Sequence, residues 1–461
     1  MITRCARQAR PGIWAIGLLA ATLIGCGTPR PDLERLYRFE TTSTTQPPVV
    51  FIHGFMGAKL RDAATGETLW PLPPGANPTR LALDIDGASL MPSGPPAEAF
   101  ALSGDEENLA LDPAIFEVLE LAGGYRPADA GAPAADGARR QYAFLYDWRQ
   151  DVARSAAELG AFIAQIQADH GNPDLKVDLV AHGTGGLVAR WYLRFGMRDV
   201  QDSNEFQPNM EGTAAVRRAI LLGTPNLGTI KSVTEAIYGL DRRGTGDGPR
   251  ALRPEILATM PALYQRFPHP VSNWLTNTEG DRLDIDVYEA SLWQSFGWSV
   301  FDDKAAARVV DRDGEDGLTL LQAYFARQIE RARRFAWALS VPPRSNAIDY
   351  VIFGGACAPT PTKLLVEAVD GQSVLRLYPD AIAKPVPGID YERLMLEPGD
   401  GTTPKSSLLA RQALDPRVPQ HKYLYLPIDY ALFLCEEHNL LTGNLYFHDN
   451  LLHALLNVDG Q

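Results

Sequence analysis

Residues 177–196 read VDLVAHGTGGLVARWYLRFG, and no other stretch restricts the fold as strongly. Val177–His182 is a short, mostly apolar run between turn residues, the mark of a buried strand. Residues 183–186 form a glycine-rich turn. Over 187–195, Leu187, Val188, Trp191, Tyr192 and Phe195 recur at helical spacing while Arg190 and Arg194 face elsewhere. Strand, sharp turn and helix is the context in which G-x-S-x-G holds a serine nucleophile above a sheet. Aligned on strand and helix, the five positions are Ala181, His182, Gly183, Thr184 and Gly185. The small flanking residues are present, but the serine position holds Gly183.

The rest of the chain repeats this alternation. Strands are predicted over 48–55 (PVVFIHGF), 141–149 (QYAFLYDWR) and 216–225 (VRRAILLGTP). A helix over 152–170 aligns Ala156, Leu159, Phe162, Ile163 and Ile166 on one face, and another covers Pro113–Leu121. An ordered loop with a packed Trp70 is expected over 60–74, and an exposed low-complexity loop over 126–140. Residues 227–346 break the pattern, with helical pieces at 255–267 and 318–339 and no strand series. The sheet then resumes at 348–355, continues through 374–378 and returns at 422–427, before a last helix over 444–456. The fold class is therefore α/β, a doubly wound, mostly parallel sheet with a helical cap inserted at its carboxyl edge. The expected division is a core in two parts, 48–226 and 347–461, around a cap at 227–346.

The first residues stand apart from this core. Arg4, Arg7 and Arg10 precede an apolar run over 13–24 that is too short to span a bilayer. It ends in Leu23-Ile24-Gly25-Cys26, which resembles the lipobox of bacterial lipoproteins. Residues 1–25 then read as a signal peptide, Cys26 as the acylated first residue, and 26–47 as a tether. Gly27 in place of aspartate implies sorting to the outer membrane. A net charge of −13 without a basic stripe excludes nucleic acid as a partner. Cys357 and Cys435 are left for an oxidising compartment, as a disulfide or as two buried thiols.

An acyl-transfer site needs a nucleophile, a histidine to take its proton and a carboxylate to orient that histidine, in the chain order nucleophile, acid, histidine. Asp400, in the turn GDGTT, is the candidate acid, with an Asx-turn role as the alternative. His438, in CEEHNLLTG, is the candidate base. His448 and His453 compete with it, but both fall in the last helix, where exposed histidines are expected. His53 adjoins the glycine turn after the first strand. There the Phe55 amide, together with the Thr184 amide, is placed to bind an oxyanion. The Thr184 hydroxyl comes one residue too late for the nucleophile, and a β-branched residue suits positive φ poorly. No metal-ligand spacing or cofactor motif is present, and residues 244–248 (GTGDG) read as a surface loop.

Taken together, PVVFIHGFMGAKL, YDWR, VDLVAHGTGGLVARWYLRFG, LLGTPNLG, GDGTT and EHNLLTGN resemble the lecithin:cholesterol acyltransferase-like branch of the α/β-hydrolases, which includes phospholipid acyltransferases and bacterial lipases. They span nearly the whole chain in the family's order, and residues 260–267 and 293–302 are similar to its lid segments. The resemblance implies an α/β-hydrolase fold, Asp400 and His438 as triad members, Phe55 and Thr184 as oxyanion donors, and a Cys357–Cys435 disulfide. It also implies that Asp147 and Arg149 brace the strand beside the site. The family pattern has serine where this chain has Gly183. The expectation is an envelope lipoprotein with a lipid or acyl-ester ligand and an inactive or impaired site. The alternatives are an active acyl hydrolase or acyltransferase using Thr184 or water, and a non-catalytic envelope interaction protein.

Overall fold

A computed structural model of the chain describes residues 31–38, 46–73, 75–93, 98–100, 113–134, 137–203, 206–240, 252–345 and 348–456. Residues 1–25, Cys26 and the glycine-rich 244–248 lie outside them.

Seven strands build the central sheet: β1 (Val49–Ile52), β2 (Arg126–Pro127), β3 (Arg140–Phe144), β4 (Val177–His182), β5 (Val216–Leu222), β6 (Tyr350–Gly355) and β7 (Ile428–Leu434), in the order β7-β6-β5-β4-β1-β3-β2. Every neighbouring pair is parallel. Successive side chains of a strand point to opposite faces, and the core divides accordingly. Val49, Phe51, Val180, Ile220, Leu222, Val351 and Phe353 pack against α1 (Pro113–Leu121) and α5 (Leu445–Leu456). Val50, Ile52, Leu179, Ala181, Ala219, Leu221 and Ile352 face α2 (Val152–Asp169) and α3 (Thr184–Phe195). From β1 the order runs outward to β3 on one side and through β4 to β7 on the other. The loops leaving β1 and β4 therefore open side by side at a topological switch point, where open α/β sheets bind ligands.

Several expected elements take another form. The turn expected over 183–186 contracts to Gly183, and α3 begins at Thr184. Gly185 and Gly186 serve close approach instead. A Cβ on Gly185 would stand 2.4 Å from the carbonyl oxygens of Ile52 and His53, and one on Gly186 would stand 1.9 Å from Thr224 Oγ1. The helix expected over 255–267 is split into Pro254–Leu257 and Pro261–Tyr264, since Met260 is extended before a proline. The one over 318–339 grows into α4 (Asp303–Ser340), broken at Gly314, where φ is 78°. Segment 374–378 does not join the central sheet. Gln372–Arg376 pairs with Leu364–Val369 through an Asp370-Gly371 hairpin turn, both residues at positive φ, and Leu364–Val369 runs parallel to Leu275–Asn277 of the insertion. This small sheet therefore draws its strands from both sides of β6. The last strand lies at Ile428–Leu434 rather than 422–427, the IDYALFL run supplying its half-buried pairing with β6.

Within the segment read as a tether, Leu33–Tyr37 is helical. Leu33 is buried, and the Tyr37 hydroxyl donates to Asp449 of α5 at 2.8 Å. That part is docked on the core because it carries an apolar residue with a matching face. Trp70 is buried, as expected, with its indole N–H donated to the Met56 carbonyl. Among the described residues no helix is long and apolar enough to cross a membrane.

Candidate functional site

A short strand, Leu396–Gly399, pairs antiparallel with Ala358–Pro361 just after β6. Asp400 follows it and is buried. Its Oδ1 accepts from the amides of Thr402 (2.9 Å) and Thr403 (2.5 Å), the Asx-type turn that D-G sequences favour. Its Oδ2 accepts from His438 Nδ1 at 2.7 Å. The turn role and the histidine contact, weighed as alternatives in the sequence, are held by the two oxygens of one carboxylate. Burial opposes its ionisation, but the His438 imidazole and the two amides prevail, and its pKa lies below the ordinary carboxylate value. The His438 amide also donates to the Asp400 carbonyl at 2.9 Å, so side chain and backbone set the ring together. A Cys357–Cys435 disulfide joins the ends of β6 and β7, with Ala358 bridged to Asp400 and Cys435 three residues before His438.

Two glycines border the imidazole. Gly183 ends β4 with φ 53° and ψ −123°, a conformation that disfavours any side chain. A Cβ built on it would stand 3.3 Å from His438 Nε2 and 3.7 Å from Cε1. Gly223, just past β5, has φ 61°, and a Cβ there would come within 2.9 Å of both Cε1 and Nδ1. Bareness at 223 lets the ring lie down against the strand end. Among the described residues no hydroxyl or thiol hydrogen-bonds Nε2. The Thr184 side chain is buried in the first turn of α3.

The backbone around Phe55 abuts the elbow. A Cβ on Gly54 would stand 3.2 Å from the His182 carbonyl oxygen and 3.7 Å from the Thr184 nitrogen. The segments bearing the Phe55 and Thr184 amides are thus in contact beside Gly183. His53 takes no part in the opening. Its Nδ1–H donates to the Gly54 carbonyl (2.8 Å), its Nε2 accepts the Tyr146 amide (3.3 Å), and burial lowers its pKa to about 4. Asp147 and Arg149 form a buried bidentate pair at 2.9 and 2.7 Å, and Arg149 also donates to the Leu81 carbonyl, bracing the connection after β3. His453 is exposed as expected, but His448 is buried and donates Nε2–H to the Thr442 carbonyl at 2.6 Å. That contact locks the start of α5 to the loop carrying His438.

One contributor escaped the sequence reading. His182, read as the variable position of the motif, donates Nε2–H to the His438 carbonyl at 3.2 Å and stacks on its ring. Nothing in a single sequence joins positions 182 and 438. A cavity of about 550 Å³ between the loop region 62–85 and α4 includes none of Gly183, Asp400 or His438. Its guanidiniums are already paired, Arg80 with Glu67, Arg149 with Asp147 and Arg312 with Asp313. At the switch point His438 carries a ring nitrogen without a hydrogen-bond partner among the described residues beside Gly183, and the buried Nδ1 of His182 beneath it is also unpartnered.

No protein-family model matches the chain, and no curated protein matches it. Among solved structures, the Tle4–Tli4 complex matches with a TM-score of 0.57 at 16% identity, covering 90% of this chain and 98% of that one. EstA from Clostridium botulinum matches at a TM-score of 0.38 and 14% identity, covering 92% of this chain and 91% of its own. The lipase BlEst2 from Bacillus licheniformis matches at 0.32 and 12%, covering 90% and 94%. At 16% identity the likeness to the first of these is one of fold alone. The parallel seven-stranded sheet, the helices on both of its faces and the sharp glycine elbow between β4 and α3 make this an α/β-hydrolase fold.

Proposed function

We propose that this protein binds lipid acyl esters on a scaffold of the lecithin:cholesterol acyltransferase-like type and forms no acyl-enzyme. Asp400 and His438 are the acid and base of a triad, the Phe55 and Thr184 amides are its oxyanion donors, and Gly183 stands in place of its serine. The observation that carries this reading is the 3.3 Å between a Cβ at Gly183 and His438 Nε2. At that separation a serine hydroxyl falls within hydrogen-bond reach of the base. Removing the serine from a comparable triad lowers turnover by about 10⁶, so the wild-type site is severely impaired as a hydrolase.

The decisive experiment is Gly183→Ser. It is expected to release p-nitrophenol from p-nitrophenyl butyrate and to react with a fluorophosphonate probe, while the wild type stays unlabelled. Adding His438→Ala should remove the gain. Labelling of the wild type would overturn the reading.

We also propose that the mature chain is held in the bacterial outer membrane through acylated Cys26, as the lipobox-like LIGC supports. Metabolic labelling with palmitate should mark the wild type and fail in Cys26→Ala. Equal labelling of both would refute the anchor.

A further inference from the structure

We infer that Arg266 is a positioning residue: it clamps the Phe55 ring and so holds the Phe55 amide where an oxyanion would meet it. This deepens the reading given above and rests on the Phe55 amide being an oxyanion donor.

Residues 54–57 form a tight turn that needs outside support. The Gly57 amide donates to the Gly54 carbonyl at 3.0 Å, and Met56 stands at φ 62°, a region that disfavours a side chain. Such a conformation persists only where its surroundings impose it. The Trp70 indole supplies part of that support through the Met56 carbonyl. The Phe55 amide itself donates to no group among the described residues, as a donor kept for a ligand must. Its direction is therefore set through the side chain it carries.

That ring is gripped on two sides. Trp148 meets it in a T-shaped contact with centroids 5.0 Å apart, and Trp148 is itself fixed by its indole N–H on the Ala58 carbonyl. On the other side the guanidinium carbon of Arg266 lies 4.0 Å from the ring centroid. Arg266 is held by its edge, with Nη2 donating to Glu235 Oε2 at 2.9 Å, which leaves the planar face for the ring. Arg266 is 8% exposed and Glu235 9%, and a desolvated cation gains most from an aromatic face. The buried Arg266 Nε has no hydrogen-bond partner, so the ring and Glu235 place the guanidinium rather than a full set of acceptors.

The backbone of Arg266 ties the same clamp to the acid. Its carbonyl accepts the Thr229 amide and the Ser232 hydroxyl, both at 2.9 Å, and the Thr229 hydroxyl donates to the carbonyl of Thr402, two residues past Asp400. The segment between β5 and β6 thus grips the donor side of the site through Phe55 and the acid side through Thr402. An oxyanion donor acts only as charge develops, so a displaced Phe55 amide lowers kcat and leaves KM in place.

The test combines two readouts on Arg266→Met, which keeps the stem and removes the cation. In the Gly183→Ser background with p-nitrophenyl butyrate, kcat is expected to fall about tenfold, less than the 10²–10³ that deleting a donor costs. KM should stay within about twofold. Arg266→Lys, which restores charge but not the planar face, should fall between the two. In the otherwise wild-type protein, exchange of the Gly57 amide should quicken by about tenfold while exchange in α2 holds. Circular dichroism checks folding, and Glu235→Gln, expected to move both readouts the same way but less, serves if Arg266→Met does not fold. Unchanged Gly57 exchange in a folded variant overturns the inference, as does faster exchange with kcat unaltered in an active Gly183→Ser protein. A Gly183→Ser parent without activity counts against the missing-serine reading instead, and the Gly57 exchange alone then decides the clamp.

Discussion

His182 stacks on His438 with ring centroids 4.7 Å apart and donates its Nε2–H to the His438 carbonyl oxygen at 3.2 Å. One imidazole thus supports another, and only the upper one meets Asp400. Burial, reinforced by the nearness of His438, lowers the His182 pKa to about 3, so the supporting ring stays neutral.

This neutrality has a consequence for stability. His53 is lowered to about 4 and His269 to about 3, in both cases chiefly by burial. All three lie below the ordinary value of 6.5. Between those limits the unfolded chain binds three protons that the folded chain refuses. Stability is therefore full above about pH 6.5 and falls as the pH drops towards 4, with a limiting slope of about 4 kcal/mol per pH unit. Urea titrations at pH 7.5, 6 and 5 should show this fall. The His269→Asn variant keeps an acceptor for the Val271 amide, which His269 Nδ1 now accepts at 3.2 Å, and should reduce the slope by about a third. An unchanged slope would exclude His269 from the effect.

The split between what the sequence disclosed and what it hid follows the range of the interactions. The pairing of Asp400 with His438 could be anticipated because a turn and a strand end are local, and because their order survives in the linear chain. The turn at Gly183 was legible from its strand-glycine-helix pattern, and Gly183 takes positive φ there. The His182–His438 stack, the bare surface at Gly223 and the docking of Tyr37 on Asp449 join positions far apart in the chain, so no local pattern records them. The small three-stranded sheet was missed for a different reason. Its hairpin turn at Asp370-Gly371 was a readable signal, but the partner strand Leu275–Asn277 is three residues long and carries no periodicity.

Cys357–Cys435 closes a loop with a sequence separation of 78 and ties the ends of the two strands that precede the acid and the histidine. In the chain-entropy account a loop of that length is worth roughly 4 kcal/mol. The double variant Cys357→Ser/Cys435→Ser should lose about that much in urea unfolding. Amide exchange over 435–443 should quicken, because the His438 loop is no longer tethered. A loss below about 1 kcal/mol with unchanged exchange would mean that hydrogen bonds alone fix the loop.

Arg190 and Arg194 project from the elbow helix α3 onto the last turn of the cap helix α4. Arg190 donates to the Leu339 carbonyl at 2.7 Å, and Arg194 donates to the carbonyls of Ala338 and Val341. These are carbonyls without an intrahelical partner, at the negative end of the helix dipole. Arg194→Met keeps most of the stem but leaves the Ala338 and Val341 carbonyls without their donor, so it should lower stability by about 1–3 kcal/mol. Because the contact joins the elbow to the cap, amide exchange in the last turn of α4 should rise with it. A stability change under about 0.5 kcal/mol, the range of an ordinary surface substitution, would show that water replaces the guanidinium.

Gly223 offers the most local test of the imidazole's seat. Its φ is 61°, and an added Cβ would meet Cε1 and Nδ1 of His438 at 2.9 Å and Asp400 Oδ2 at 3.3 Å. Gly223→Ala thus carries two separate penalties. The left-handed backbone costs a side chain about 1–3 kcal/mol, and the methyl must push the ring away from its carboxylate. The first penalty appears in unfolding and the second in function, so the two can be measured apart. In a Gly183→Ser background, Gly223→Ala should cut the esterase activity by at least about 10²-fold, the usual weight of a positioned base. The Gly183→Ser/His438→Ala protein sets the floor for that comparison. Activity that stays within twofold of the Gly183→Ser parent, in a protein destabilised as expected, would show that the ring yields without losing its line to Asp400. Activity at the floor would show that the seat made by Gly223 is as necessary to the base as the carboxylate behind it.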